Sequence, residues 1–517
     1  MRLIFIILIC PMLILTGCHS PQPVVFDVLI ENGLVFSGDS ESGEILSIGL
    51  IGDTIAWIGK GDNLSAKVKI DASGMIVSPG FIDPHTHTLE DMSDSLGRAN
   101  LPFLMQGVTT VVAGNDGGGP VNTSETFTRL ASAGMGANMA LYIGHGSVRS
   151  HVMGAADRNP TAGELEQMKD LVRKGMAAGA LGLSTGLYYA PGSFSETEEV
   201  IELAKVAAEY DGVYDSHIRD ESSYSIGLEG AIAEVIKVSR EAGIRAHIAH
   251  IKALGADVWG KSREVVAMID KARAEGLDIT ADQYPYLASG TSVEAALLPR
   301  WTMADSRKAY LQRLNDPGLL PQIKEETREN LRKRGGAATI LITETRDSSI
   351  LGKTLAEIAA ERKDDPAEVA LDIARKGGAG VASFNMNPDD VVYFMKQPWV
   401  MTGSDGSAGH PRKYGTYPRK YRVYVKEEGV LSLADFISKS SSQVAETLGI
   451  NRRGILRQGY FADIVVFDPR TFTDKSDFAR PREYSEGVWY LWVNGKLTIS
   501  EGKYTGEQNG RVIRRGL

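Results

Sequence analysis

The residues with the most chemical content lie in 78–88, SPGFIDPHTHT. An apolar run, Met75, Ile76 and Val77, leads through Pro79-Gly80 into Phe81 and Ile82, which predicts a strand. His85 and His87 follow with one residue between them. Positions i and i+2 of a strand share a face, so both imidazoles aim at one point, as ligands of a divalent metal must. The whole chain has only nine histidines, and two of them in this context point to a metal rather than to incidental surface residues.

Other strand ends supply partners. GVTTVVAGNDGGG carries Asp116, and GVYDSHIRDE carries His217 with Arg219 on the same predicted face. IRAHIAHIKALG carries His247, His250 and Lys252, and WVMTGSDGSAGHPRKYG carries Asp405, His410 and Arg412. Strand parity puts His250 and Lys252 on one face and turns His247 the other way, to pack under a helix. His145, His151 and His410 lack a strand-end partner pattern and read as structural or surface residues. Four inward histidines with one or two carboxylates suit zinc or a similar divalent metal, as one or two ions. Such a metal polarises a carbonyl and acidifies water, and a carboxylate beside it can carry a proton to a leaving amine. Asp405 is the candidate for that carboxylate, although Ser-Asp-Gly is also a common turn. The chemistry expected is hydrolysis of an amide or related bond. Lys252 and Arg412 nearby favour an anionic substrate.

These residues need a scaffold that gathers strand ends. The middle of the chain alternates predicted strands and helices in units of roughly 30 residues, the rhythm of a parallel (β/α)8 barrel whose chemistry sits at the C-terminal strand ends. Thr161-x-x-Glu164 and Ser195-x-x-Glu198 read as capping boxes that open helices, and a further helix covers residues 231–242. From about 288 to 341 the rhythm fails and polar helical sequence intervenes, read as an inserted subdomain in a barrel spanning 79–454. Residues 27–78 and 455–512 resemble each other in short strands and Asn-Gly or Gly turns. They predict one small β-sandwich made from both chain ends.

At 517 residues the chain is long enough for both domains, and its 43% hydrophobic and 23% charged residues are those of a globular protein. A net charge of −9 leaves no basic footprint for nucleic acid. Residues 1–17 read as an export signal: Arg2, then an apolar run too short to span a membrane, ending in Leu15-Thr16-Gly17-Cys18. That ending resembles a bacterial lipoprotein box, with Cys18 as the lipidated residue and 18–26 as a tether. The expected location is the bacterial cell envelope, with the membrane touched through the lipidated end only. The other cysteine of the chain, Cys10, lies within the signal, so no disulfide is expected.

Taken together, PGFIDPHTH, SHIRDES, AHIKALG and TGSDG with HPRKYGTYPR resemble the amidohydrolase superfamily, and more narrowly the N-acyl-D-amino-acid deacylases. GLSTGLYYAPG, DQYPYLASGT and GILRQGYFADIVVFDP extend the likeness over nearly the whole chain after the signal. The resemblance implies a (β/α)8 barrel with an insertion after the seventh strand. It implies one metal site from His85, His87 and Asp405 and another from His217 and His250, with Asp405 as catalytic acid and base. Lys252, Tyr284 and Arg412 match positions that hold the substrate carboxylate, and Tyr188 matches one that polarises the scissile carbonyl. Rim packing by Tyr188 or Tyr284 and a surface ion pair for Arg412 are the plainer alternatives. The family usually carries a bridging cysteine where this chain has Asp116, and a hard carboxylate holds zinc less tightly than a soft thiolate. The implied substrate is an N-acyl-D-amino acid with a free carboxylate. A D-residue dipeptide or a cyclic amide is the alternative among enzymes, and a non-catalytic binding lipoprotein the alternative outside them.

Overall fold

The computed structural model describes residues 25–61 and 64–516, so the export signal and Cys18 lie outside the described residues. Eight parallel strands form the barrel: β1 (Phe81–Asp83), β2 (Val108–Ala113), β3 (Asn138–Leu141, continued as Ile143–Gly144), β4 (Gly182–Gly186), β5 (Val213–His217), β6 (Arg245–Ile248), β7 (Ile279–Gln283) and β8 (Val400–Thr402). Each pairs with the next in parallel register. The ring closes through the turns after β8 and β1. Asp405 N donates to His85 O at 2.9 Å, and Thr86 bridges Gly406. Asp83 reinforces the closure: its Oδ1 accepts from Ser404 N at 3.0 Å. Burial pushes the Asp83 carboxyl up to about 7.

Alternation along the strands divides two cores. Val213, Leu181, Ile82, Val112 and Met401 fill the barrel interior, while Tyr214, Ala246, Ile248, Ala281 and Leu183 face the surrounding helices. Thr161 opens the helix Ala162–Ala177 with the expected capping box. The next helix departs from expectation. It runs Thr197–Ala208, Glu196 takes the cap position, and Ser195 Oγ turns back to Gly192 O at 2.7 Å. The third predicted helix begins four residues earlier than read, Gly227–Ala242, and ends on Gly243 in the left-handed region.

Both chain ends contribute to one hydrogen-bonded sheet of nine strands, in which Ile464–Phe467 pairs with Ile76–Pro79. Ile48, Leu50 and Ile55 at one end of that sheet share an apolar cluster with Ile464, Val466 and Trp492, so the sheet curls over its own core.

The insertion follows β7 and is larger than the 288–341 read from the rhythm. Its antiparallel sheet joins Ala288–Ser292 to Gly380–Phe384, which also pairs with Ile340–Glu344. Helices Val293–Leu297, Arg307–Leu314, Leu320–Lys333, Leu355–Arg362 and Pro366–Arg375 pack on it around their own core. Gly380–Phe384 is apolar and follows a helix, so in sequence it looks like a barrel strand. Only its antiparallel partners reveal the subdomain.

Candidate metal centre

Six predicted residues meet at the C-terminal mouth of the barrel. They form two groups with ligand atoms close enough to hold one ion each: His85, His87, Asp116 and Asp405, and then Asp116, His217 and His250. Asp116 belongs to both. Its Oδ1 lies 3.3 Å from His85 Nε2 and 3.6 Å from His250 Nε2, and its Oδ2 lies 3.6 Å from both His87 Nε2 and His217 Nδ1. Asp405 Oδ1 lies 3.2 Å from His87 Nε2 and 3.7 Å from His85 Nε2.

The backbone is bent to achieve this. Asp116, His250 and Asp405 have φ of 54°, 37° and 48°. This region disfavours side chains with a Cβ and costs on the order of 1–3 kcal/mol where a structure enforces it. Aspartate tolerates it better than most residues. Gly119 beside Asp116 permits the close approach of the loop to β3, because a Cβ there would meet Tyr142 O at 2.2 Å.

Electrostatics keep the acids ionised. Burial opposes charge on Asp116, but His85, His217 and His250 outweigh it and hold its carboxyl well below the usual range. Burial likewise opposes charge on Asp405, where Arg412 and His250 prevail. Burial lowers His217, favouring the neutral imidazole that a metal needs. Burial opposes charge on His87 and His250 too, but Asp405 and Asp116 prevail and raise both, His250 to about 10. Both ring nitrogens of His85 and of His217, and Asp116 Oδ1, are buried without a hydrogen-bond partner. Buried polar atoms are rarely left unpaired. Imidazole nitrogens and anionic oxygens around such atoms are the donor set of a divalent transition metal.

A cation-rich wall stands beside the two groups. Arg412 stacks over Tyr284 at 4.7 Å and Lys252 approaches the same ring at 5.6 Å. The Tyr284 hydroxyl is buried without a partner. Arg412 Nη1 also lies 2.8 Å from Asp405 Oδ2. These residues, and all of both metal groups except the fully buried His85, line one cavity of about 580 Å³.

Three expectations need correction. His247 does not pack under a helix: Ala246 and Ile248 do, and His247 between them points into the barrel, 2.9 Å from Thr280 Oγ1 and 3.5 Å from Asp282. The parity argument failed because β6 ends at Ile248 and the positive φ of His250 turns that residue inward too. Arg219 leaves the site and grips Glu234 on a neighbouring helix at 2.8 Å, because β5 ends at His217. The Tyr188 hydroxyl is committed to the insertion, donating to Ala295 O at 2.7 Å and accepting from Arg334 at 3.1 Å. Tyr189 instead faces the metal groups, its ring 4.7 Å from that of His217 and its hydroxyl 3.4 Å from Thr291 Oγ1. His410 is structural, one of the two roles expected for it, and is buried. Its Nε2 donates to Ala288 O at 3.0 Å and its Nδ1 accepts from Arg412 N at 3.1 Å, anchoring the arginine. His145 is buried against Glu199 at 2.7 Å, and His151 is exposed.

Sequence reasoning also passed over Glu221, which is buried against Lys252 at 2.5 Å and His250 Nδ1 at 3.1 Å. Its signal was an acid four residues after His217, in SHIRDE.

Residues 69–499 match the model of the amidohydrolase family. The D-aminoacylase of Alcaligenes xylosoxydans xylosoxydans is 32% identical, covering 95% of this chain and 98% of that protein. The chain belongs to the amidohydrolases, in the D-aminoacylase branch. A crystal structure of D-aminoacylase superposes on this amidohydrolase with a TM-score of 0.82 at 31% identity, covering 95% of this chain and all (100%) of the other. An N-acyl-D-glutamate deacylase from Bordetella bronchiseptica, solved with zinc and a phosphonate mimic of the tetrahedral intermediate, superposes at 0.81 with 30% identity and covers 95% of this chain and 100% of its own.

Proposed function

We propose that this amidohydrolase cleaves the amide bond of N-acyl-D-amino acids, releasing a carboxylic acid and a D-amino acid. The observation that carries the reading is one cavity holding both metal groups, joined by Asp116, beside a receptor for a carboxylate. His85, His87 and Asp405 would hold one ion, His217 and His250 a second, and Asp116 would serve both. Zinc is the first candidate, and the carboxylate at 116 admits harder divalent metals as well. Bound there, the metal supplies a Lewis acid for the scissile carbonyl and acidifies the attacking water.

The protein's own groups do the rest. Lys252, Tyr284 and Arg412 bind the α-carboxylate and so fix the amide relative to Asp405. A substrate carboxylate shares Arg412 with Asp405. Asp405 takes the proton of the attacking water and delivers it to the leaving amine. The Tyr189 hydroxyl donates to the carbonyl oxygen as negative charge develops on it. A receptor for a free carboxylate favours an open-chain substrate over a cyclic amide.

The decisive measurement is turnover of paired N-acetyl-D- and N-acetyl-L-amino acids by metal-analysed protein. The D form is cleaved preferentially. Asp405→Asn lowers kcat by about 10²–10⁴, and chelation abolishes activity until metal is returned. Equal turnover of both enantiomers, or full activity in Asp405→Asn, refutes the reading.

We also propose export and lipid anchoring through Cys18, supported by Arg2, the apolar run and Leu15-Thr16-Gly17-Cys18. Among the described residues no helix is long and apolar enough to cross a membrane. Labelled palmitate should enter the wild-type protein and not Cys18→Ala. Equal labelling of the two would exclude the anchor.

A further inference from the structure

We infer that the acyl half of the substrate is a peptide, so that the enzyme releases a D-amino acid from a peptide's C-terminus. The chain would lie along the free edge of Ala288–Ser292 and enter a second cavity beyond it. The inference rests on the deacylase reading above and extends it to the acyl group. Three successive residues of this strand follow the substrate from end to end. Gly290 lies against the carboxylate receptor, since a Cβ there would meet Arg412 Nη2 at 3.1 Å. Thr291 Oγ1 lies 3.4 Å from the Tyr189 hydroxyl, the donor assigned to the carbonyl. Ser292 lines the catalytic cavity and also a neighbouring cavity of about 730 Å³. At about 3.3 Å per residue, the strand leads from carboxylate to carbonyl to acyl group. The acyl group therefore points into the second cavity.

The edge is free to bind such a chain. Ala288–Ser292 is the outer strand of its three-stranded sheet. Hydrogen-bonded and unbonded pairs alternate along an antiparallel ladder. Val293 N donates to Ala379 O at 2.8 Å, one step past the pair Ser292–Gly380, so Ser289, Thr291 and Val293 bond inward. Gly290 and Ser292 therefore turn their N–H and C=O outward. Ala288 does the same, and its carbonyl accepts from His410 Nε2 at 3.0 Å. An extended peptide adds to an open edge through its own amides, which an alkyl chain lacks. The second cavity suits the same occupant. It adjoins the first at Ser292, Glu344 and Gly380, and Ala190 brings it next to Tyr189. Gly377, Gly378 and Ala379 leave room along one wall, while Glu294, Arg307, Glu344 and Arg346 supply charge. An alkyl chain would desolvate those charges with nothing to replace water, whereas peptide groups can pair with them. Water adds across the last peptide bond and yields a shortened peptide carboxylate and a free D-amino acid.

The test compares kcat/KM of the metal-loaded full chain on N-acetyl-D-leucine, octanoyl-D-leucine, acetyl-alanyl-alanyl-D-leucine and the same peptide N-methylated at its second alanine. The peptide should exceed N-acetyl-D-leucine by about tenfold or more, the contribution of two further hydrogen bonds. The octanoyl and N-methylated substrates should lack that gain. N-methylation needs no variant, so a folding defect cannot mimic its effect. Glu344→Trp fills the junction of the two cavities and should bring the peptide down to the value of N-acetyl-D-leucine in the same variant. A peptide no better than N-acetyl-D-leucine overturns the inference. So does a gain that octanoyl-D-leucine matches, or one that survives either N-methylation or Glu344→Trp. Turnover of N-acetyl-D-leucine with no gain from the peptide refutes only this extension and leaves the deacylase reading standing. Failure to cleave any of these D-substrates refutes both.

Discussion

Tyr188 and Tyr189 are adjacent, and the structure assigns them opposite duties that substitution can separate. The Tyr188 hydroxyl joins the barrel to the insertion through Ala295 O and Arg334, and Arg300 stacks on its ring at 4.2 Å. Tyr188→Phe deletes both hydrogen bonds and leaves a buried guanidinium partly unsatisfied. That costs about 1–3 kcal/mol of stability and does not remove a group that meets the carbonyl. Tyr189 makes one weak contact, to Thr291, and desolvation together with Asp116 pushes its phenol well above the ordinary value, so it remains a proton donor at any working pH. Tyr189→Phe removes a donor that acts on developing charge, worth about 2.7–4 kcal/mol or 10²–10³ in kcat. The assay is steady-state kcat and KM with an N-acetyl-D-amino acid, beside urea denaturation of each variant. Tyr189→Phe should lose kcat at constant denaturation midpoint. Tyr188→Phe should lose midpoint and keep kcat within about tenfold. The reverse pattern, with Tyr188→Phe catalytically dead and fully stable, would refute the assignment.

The cations lining the cavity are all engaged: Lys252 with Glu221, Arg412 with Asp405, and Arg334 with Ala296 O, Ser383 and Tyr188. Beyond the α-carboxylate receptor, none among the described lining residues remains for an acidic side chain. N-acetyl-D-leucine should therefore exceed N-acetyl-D-glutamate in kcat/KM by about 100-fold, from the roughly 2–5 kcal/mol that an unpaired buried charge costs; equal values would contradict the charge assignment. Glu199 neutralises the fully buried Arg149 and holds His145. Glu199→Gln should destabilise by about 3–5 kcal/mol in denaturant titration, and a loss under about 1 kcal/mol would show that the arginine finds other partners. Burial lowers Lys439 from 10.5 to about 8, with its ammonium on Val400 O at 2.8 Å. Between those pH values the unfolded state binds more protons, so this group's contribution to stability rises with pH from 8 to 10.5, by about 3 kcal/mol at most. Lys439→Met should flatten that rise, and an unchanged slope would exclude the lysine as its source.

Some features needed only local sequence. The one-residue spacing of His85 and His87 signals a ligand pair, although β1 ends at Asp83 and the turn after it, not the strand, brings the two rings together. The Thr161 capping box closes within four residues. The same holds for the polar residues that follow apolar strands at Asp116, His217 and Asp405, because a parallel barrel gathers every strand end at one mouth. Parity, by contrast, carries information only while a strand continues. It failed past Ile248, where a positive φ at His250 reorients the chain, and past His217, where Arg219 swings to Glu234.

Sequence by itself therefore determined which residue types could gather and which fold could gather them, since periodicity and composition are local properties of the chain. The tertiary structure decided what those residues do. Whether Tyr188 or Tyr189 turns inward depends on how β4 sits in the ring. Whether residues 380–384 join the barrel or the insertion depends on pairing with 288–292, far away in the chain. Glu221 acquires its place only when the ends of β5 and β6 come together and bring His217, His250 and Lys252 around one buried carboxylate. Each of these outcomes rests on contacts between distant segments, whose energies no window of sequence contains.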